Sequence, residues 1–401
     1  MKRLNYLLAI LFVAYLFTSC KPDEVPDAGS STTDLLVKKF TEAPVMDATI
    51  EDMWAGAQKL VGSTTVPQLN ARGTHLNGDG EGVEEALGLF DPYSGESYDF
   101  TMRAGYSGSD IYFLLEWEDE ADSKDRQSWY FDTDDKLWKG EHKYANHIDD
   151  KFYEDKFAFL FPIGEVEGFS SSTCYATCHT STPVVNAKDK HTRHYLNNED
   201  EKIDMWHWKR VRGTYLGQVD DQKMLYADPS KGSAANGRTG DGTGEGGYSS
   251  NGQTLTITGT AIEVSVPLYI IPNQTDYYWI DQDQIDNGTA KMITAVDENG
   301  VLSYDGGTIN PADGGYEQGI GNKRFPSVTT KAFTLGRADI SISANYTGTG
   351  WVCEFTRKLN TGDEDDVIFD VTQELPFGFA IFNNAAIAHG VKAGLMMKFE
   401  E

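Results

Sequence analysis

The sequence predicts an all-β protein, an antiparallel β-sandwich carrying long loop insertions. Runs in which alternate residues are apolar recur along the chain, residues 111–117 (Ile-Tyr-Phe-Leu-Leu-Glu-Trp) among them, and a period of two directs one face of a strand at a core. Clusters of Gly, Pro, Asn and Asp between these runs read as turns. Aromatic residues make up 12% of the chain, which supplies the bulk needed to fill the space between two packed sheets. There is no sustained helical period and no internal repeat, so little helix is expected.

Residues 1–19 combine Lys2 and Arg3, an apolar run from Leu7 to Phe17 and a small-residue end, the layout of a secretory leader too short to span a bilayer. Leu16-Phe17-Thr18-Ser19-Cys20 resembles a bacterial lipobox. The likeness implies cleavage before Cys20, diacylation of its thiol and a membrane tether of acyl chains rather than a helix. Lys21 stands where inner-membrane retention signals have aspartate, so an outer-membrane address is expected, with its periplasmic and outer faces both open. Residues 20–44 are polar and read as a flexible tether, leaving 45–401 as the folded domain.

Within that domain, 99–104 and 111–117 form a hairpin across 105–110. Residues 154–162 make a further strand that delivers the chain to a cysteine motif. In 203–210, Trp206 and Trp208 share one face while Met205, His207 and Lys209 share the other. Residues 229–253 turn to Gly, Ser, Thr and Asn and read as a surface insertion; 258–267 is a strand; 283–327, broken by Gly and Pro, reads as a second insertion. Strands at 339–346, 350–359, 366–371, 376–382 and 393–399 complete the sandwich, the last two joined by a loop containing His389.

Thiols and an imidazole are clustered in one place. Cys174, Cys178 and His179 form Cys-x-x-x-Cys-His, one residue longer than the usual c-type haem attachment signature. Two thiols can add to the haem vinyl groups while the adjoining imidazole binds the iron. The motif therefore reads as one covalently held haem c, with His179 as proximal ligand and the second thioether left open by the extra residue. Two other readings stand beside it: zinc held by Cys174, Cys178, His191 and His194, and a disulfide closing the short loop. Cys353 is left as a buried strand thiol. Asp132, Asp134 and Asp135 lack the glycine and distal glutamate of a calcium loop and read as a solvated acidic turn.

The formal charge of −28, which becomes −30 without Lys2 and Arg3, argues against nucleic acid or anionic headgroups as partners and favours basic ones. No GxSxG, HExxH or phosphate loop is present, so the chain is not expected to be an enzyme on its own.

Several blocks together resemble the haem-binding domain shared by the γ subunits of ethylbenzene dehydrogenase and dimethyl sulfide dehydrogenase and by certain c-type cytochromes. They are 110–118, 153–161, 174–179, 204–209 with Asp220-Asp221, Arg337-Ala338-Asp339, 354–366 with Arg357, Leu359 and Thr361, and 377–383. Residues 45–54 also look like the opening strand and Trp-bearing turn of carbohydrate-binding-module and DOMON-type sandwiches. The resemblance implies haem held at one end of a sandwich between sheet residues and loops, and a role in electron transfer. In the γ subunits the haem is b-type, bound by methionine and lysine without a covalent link. The cysteine motif places this chain nearer the c-type branch, with haem b as the alternative.

The distal ligand has several candidates. His389 comes first, in a loop from which an imidazole can reach an end-bound cofactor; Met102 follows, then Lys392, near the position of the γ-subunit lysine. His207 comes last as an iron ligand and is read rather as bonding within the core or to a propionate, Trp206 as a core aromatic beside the cofactor, and Arg337 with Lys209 as propionate counter-charges or solvated surface groups. The expected function is a lipid-anchored envelope cytochrome that exchanges single electrons with a redox protein or a molybdenum oxidoreductase. The alternative is a carbohydrate- or ligand-binding sandwich lipoprotein with a structural cysteine or zinc site.

Overall fold

The computed structural model describes residues 29–66, 93, 95–142, 151–173, 196, 198–226, 237–242, 245–318, 321–386 and 388–400. Among these, no helix reaches seven residues, and 13 strands form one large sheet. Across it run Arg238–Gly240, Asp220–Leu225, Lys202–Lys209, Lys156–Ile163, Leu375–Phe382, Gly390–Phe399, Asp34–Lys39, Ser97–Ser107, Asp110–Glu118, Gly350–Lys358 and Ser341–Tyr346. Lys59–Thr65 pairs with both Ser97–Ser107 and Gly390–Phe399, and Ser30–Ser31 lies beside it.

The sheet folds back on itself, which makes the sandwich. Phe113 and Trp117 on one half meet Trp206 at 5.6 Å and Trp208 at 5.9 Å on the other, edge to face. Phe157, Phe159 and Phe161 alternate inward along a single strand, with Phe355 and Phe379 packed against Phe159. Each such side chain contributes about 1.5–3 kcal/mol by burial, with about 0.5–1.5 more for a well-oriented aromatic pair. On one side the two edges are tied together, since Val219 N–H donates to Ile340 O (3.1 Å) and Ile342 N–H to Gly217 O (2.9 Å).

Several boundaries differ from the sequence expectation. Residues 34–39, assigned to the tether, form a central strand that runs parallel to both of its neighbours, so the sheet is not wholly antiparallel. Their polarity hid two fully buried residues, Leu35 and Val37, which alternate into the core. Residues 45–57 then cover the outside of the Asp110–Glu118 strand. There Trp54 is buried with Phe40, Tyr112 and Leu114, and its indole donates to Glu354 Oε1 at 2.9 Å.

Residues 283–327 are not a plain surface insertion. With the hairpin Trp129–Asp132/Leu137–Gly140 and residues 252–281 they build a second core around Phe131, Trp138, Ile293, Leu302 and Phe325. Trp138 Nε1–H donates to Gly300 O at 2.8 Å across a long sequence separation, which is why no local period announces this unit. Within 229–253, Arg238–Gly240 adds the edge strand of the main sheet. Residues 366–371 are not a strand; Val367 and Phe369 plug the end of the main core from an irregular segment.

Candidate functional site

Cys174, Cys178, His179, His191 and His194 lie outside the described residues, as does Cys20. The described chain does show where it leaves and returns. It leaves at Thr173, fully buried against Gly378: a Cβ on that glycine would lie 3.0 Å from the threonine Cβ. Thr173 has φ +45°, a conformation that β-branched residues avoid and that concentrates at functional sites. It is back at Leu196, whose N–H donates to Leu225 O at 3.0 Å. Both anchor points belong to the strands around His207.

Strand register sets out the face between them, because directly opposed residues share a side of the sheet. Ala380 lies opposite Ala158, Ala158 opposite His207, and His207 opposite Asp220. Two residues one way the row is Phe382, Lys156 and Lys209; two residues the other way it is Gly378, Leu160, Met205 and Gln222. This is the outer face, since Trp206, Trp208 and Phe159 point into the sandwich from the same strands. Ala380 and Ala158 carry almost no side chain, so the row is recessed beside the His207 ring, while Thr173 fills the space over Gly378.

His207 is only 6% exposed, yet among the described residues neither ring nitrogen has a hydrogen-bond partner. Buried polar atoms are normally paired. Its ring stacks on Phe382 (5.6 Å between centroids), which stacks in turn on His389 (4.5 Å). Lys156 Nζ lies 4.1 Å from the Phe382 centroid and donates to Ala386 O at 2.8 Å. Lys209 pairs with Asp220, which also accepts from Arg337 Nε at 2.6 Å. Arg212 Nε donates to Glu154 at 2.6 Å.

Burial, reinforced by Lys209, Lys156, Arg238 and Arg212, holds His207 well below the usual imidazole range. At neutral pH the ring is uncharged and keeps a free lone pair. Burial likewise pulls Lys156 well down and brings Lys209 to about 8, Asp220 opposing the latter. In a strongly acidic chain the surroundings of this imidazole are cationic. Such a face offers a neutral nitrogen ligand to a metal and positive charge to anionic groups nearby.

The structure brings some of the expected residues together and separates others. His207, His389, Lys209 and Arg337 share one region, the last two through Asp220. Met102 instead lies in the sandwich core, opposite Leu60 and Leu115. Trp206 faces that core too, 4.9 Å from Phe161 and capped by Arg357. Lys392 is half-buried on the Gly390–Phe399 strand opposite Phe379, away from the His207 row. Asp132, Asp134 and Asp135 make a hairpin turn in which Lys139 pairs with Asp132 and Asp135. Lys156, Ala158, Ala380 and Phe382 were not singled out from the sequence. The alternation of 156–160 would have put Lys156 and Ala158 on the face away from the aromatics, but only register sets them beside His207.

A family model described as "Ethylbenzene dehydrogenase" matches residues 88–393. No curated protein matches the chain. Among solved structures, a family 9 carbohydrate-binding module from Caldicellulosiruptor kristjanssonii in complex with glucose is similar at 8% identity and a TM-score of 0.27, covering 92% of this chain and 95% of that one. With most of its length inside the family match, the chain belongs to the ethylbenzene dehydrogenase family, whose domains occur in oxidoreductase complexes.

Proposed function

We propose that the protein is a cell-envelope electron carrier that holds one haem against the outer face of the sheet, with His179 and His207 as axial ligands and Cys174 and Cys178 as the points of covalent attachment. The observation that carries this reading is the His207 imidazole: buried, neutral and unpartnered, among cations, on the face where the chain departs toward the cysteine motif. When bound, haem supplies a one-electron ferric–ferrous couple.

The chain's own residues do the rest. His207 offers a lone pair without first losing a proton, Lys209 with its partner Asp220 and Arg337 lies beside it on the same face, and Ala158 and Ala380 leave room for a flat ring. The surrounding sandwich is closely packed, so little has to rearrange when one electron arrives. Cys20 anchors the protein by lipid to the outer membrane, and its partner is a redox protein or the catalytic subunit of an oxidoreductase complex. His389, first choice from sequence, also stacks on Phe382 and is the competing ligand.

The test is an alkaline pyridine spectrum of the protein matured with c-type haem machinery, together with haem staining on a denaturing gel. Expected are one haem per chain that survives denaturation, its loss from the gel in Cys174→Ala/Cys178→Ala, and a changed low-spin spectrum in His207→Ala but not in His389→Ala. A colourless protein overturns the haem reading. A spectrum altered by His389→Ala alone overturns the assignment of His207.

A further inference from the structure

Behind the inner face of the same strands lies a group of carboxylates that electron transfer does not use. Asp204, Asp221 and Asp366 are buried around a single guanidinium: Arg357 Nη1 lies 2.7, 3.8 and 3.2 Å from their oxygens. A second trio adjoins them. Asp241, Asp363 and Asp365 each present an oxygen within 4.8 Å of the others. Of these, Asp365 is satisfied by Lys202 (3.0 Å) and by Lys223. Among the described residues, six carboxylates thus share Arg357, Lys202 and Lys223, and uncompensated charge in such a place is costly.

Two further observations point to a missing positive group. Asp241 is 1% exposed and, among the described residues, no side chain donates a hydrogen bond to either of its carboxylate oxygens, its own neighbour Gly242 N–H being the donor nearby; the fully buried Asp221 has only Arg357, at 3.8 Å. Oxygens of Asp241 and Asp363 also converge on space that a glycine keeps open, since a Cβ on Gly336 would lie 3.0 Å from Asp241 Oδ2 and 3.4 Å from Asp363 Oδ2. The first trio already encloses a guanidinium; in the second, among the described residues, Asp365 has its two lysines while Asp241 and Asp363 have no cationic partner.

We propose that Asp241 and Asp363 bind a divalent cation, calcium, beside Gly336, with Asp365 held at the edge of the site by Lys202 and Lys223. An all-oxygen, carboxylate-rich set without sulfur or imidazole selects a hard cation over zinc or copper. Its position joins the loop 360–366 to the edge strand Arg238–Gly240, so binding would fasten that edge of the sheet. The proposal stands independently of haem.

The test uses the full mature chain, stripped with EDTA and titrated with calcium chloride or magnesium chloride by calorimetry, with bound metal counted by mass spectrometry. One equivalent of calcium is expected, with magnesium binding more weakly and the melting temperature rising as calcium is added. Asp363→Asn, at the more exposed rim, should weaken calcium binding about tenfold or more by removing a charged ligand, and Asp241→Asn should do the same. If Asp241→Asn does not fold, Asp363→Asn alone decides. Absence of bound calcium, or binding unaltered by Asp363→Asn, overturns the proposal.

Discussion

Arg357 is the side chain whose replacement the interior would tolerate least. It is fully buried, faces Asp204, Asp221 and Asp366, donates to Val367 O at 2.5 Å and lies over the rings of Trp206 and Phe369. Removing one partner of such a cluster leaves the others charged and unpaired, at a cost of about 3–5 kcal/mol. Arg357→Met should therefore lower the urea midpoint sharply or abolish folding, while an Asp204→Asn/Arg357→Met pair recovers part of the loss. A pH effect is expected at Asp119. Burial pushes its carboxyl up from 3.8 to about 6, and Asp155 beside it is raised as well. A group whose folded value is raised stabilises fully below its unfolded value and loses that contribution as pH climbs. Between about pH 4 and 6 the fold should thus lose roughly 3 kcal/mol from this group. Thermal melts of Asp119→Asn across that window should lack this slope and lie above those of the parent protein at pH 7.

At the scale of elements, the Asp34–Lys39 strand carries a large part of the sheet's continuity, because it bridges Gly390–Phe399 and Ser97–Ser107. Leu35→Ala removes a fully buried side chain there, and such truncations cost about 2–5 kcal/mol. Chemical denaturation should show a loss of that size; an unchanged midpoint would mean that the strand is not integral to the fold. Three consecutive apolar residues, Leu35, Leu36 and Val37, in a six-residue run show no period of two to separate from a polar linker, so the sequence could not reveal this strand. The Lys202–Lys209 strand was legible, with its tryptophans and its histidine correctly divided between two faces. Alternation does not say which neighbours a face meets, and the loneliness of the His207 nitrogens comes from having Ala158 on one side and an acid already engaged by Lys209 and Arg337 on the other.

Over the whole molecule, charge is distributed unevenly in a way composition cannot show. The net −28 belongs to the chain as a whole, whereas the surroundings of His207 are cationic and the acids gather around Arg357 and Gly336. An acidic envelope steers basic partners and is screened by salt over about 10 Å at 0.1 M. The second-order rate of electron exchange with a basic redox protein should therefore fall as ionic strength rises, measured by stopped flow. A rate independent of salt would remove surface charge from the account of partner choice. The second core around Trp138 and Phe325 forms a separate body of packing, a unit that Ile293→Ala should loosen while leaving the His207 region intact, as read by hydrogen exchange.

What the sequence by itself determined was the β character, the sandwich, the family blocks and the Cys-x-x-x-Cys-His motif, because residue period and local spacing are properties of neighbours along the chain. Only the tertiary structure decided that residues 34–39 are central, that 283–327 has a core of its own, that Met102 is sealed inside while His207 stands unpaired on the outer face, and that Asp241 meets Asp363 beside Gly336. Those facts depend on strand register and on contacts between residues tens to hundreds of positions apart. No local pattern encodes them, since a hydrogen bond or an ion pair is decided by who arrives opposite whom once the sheet has closed.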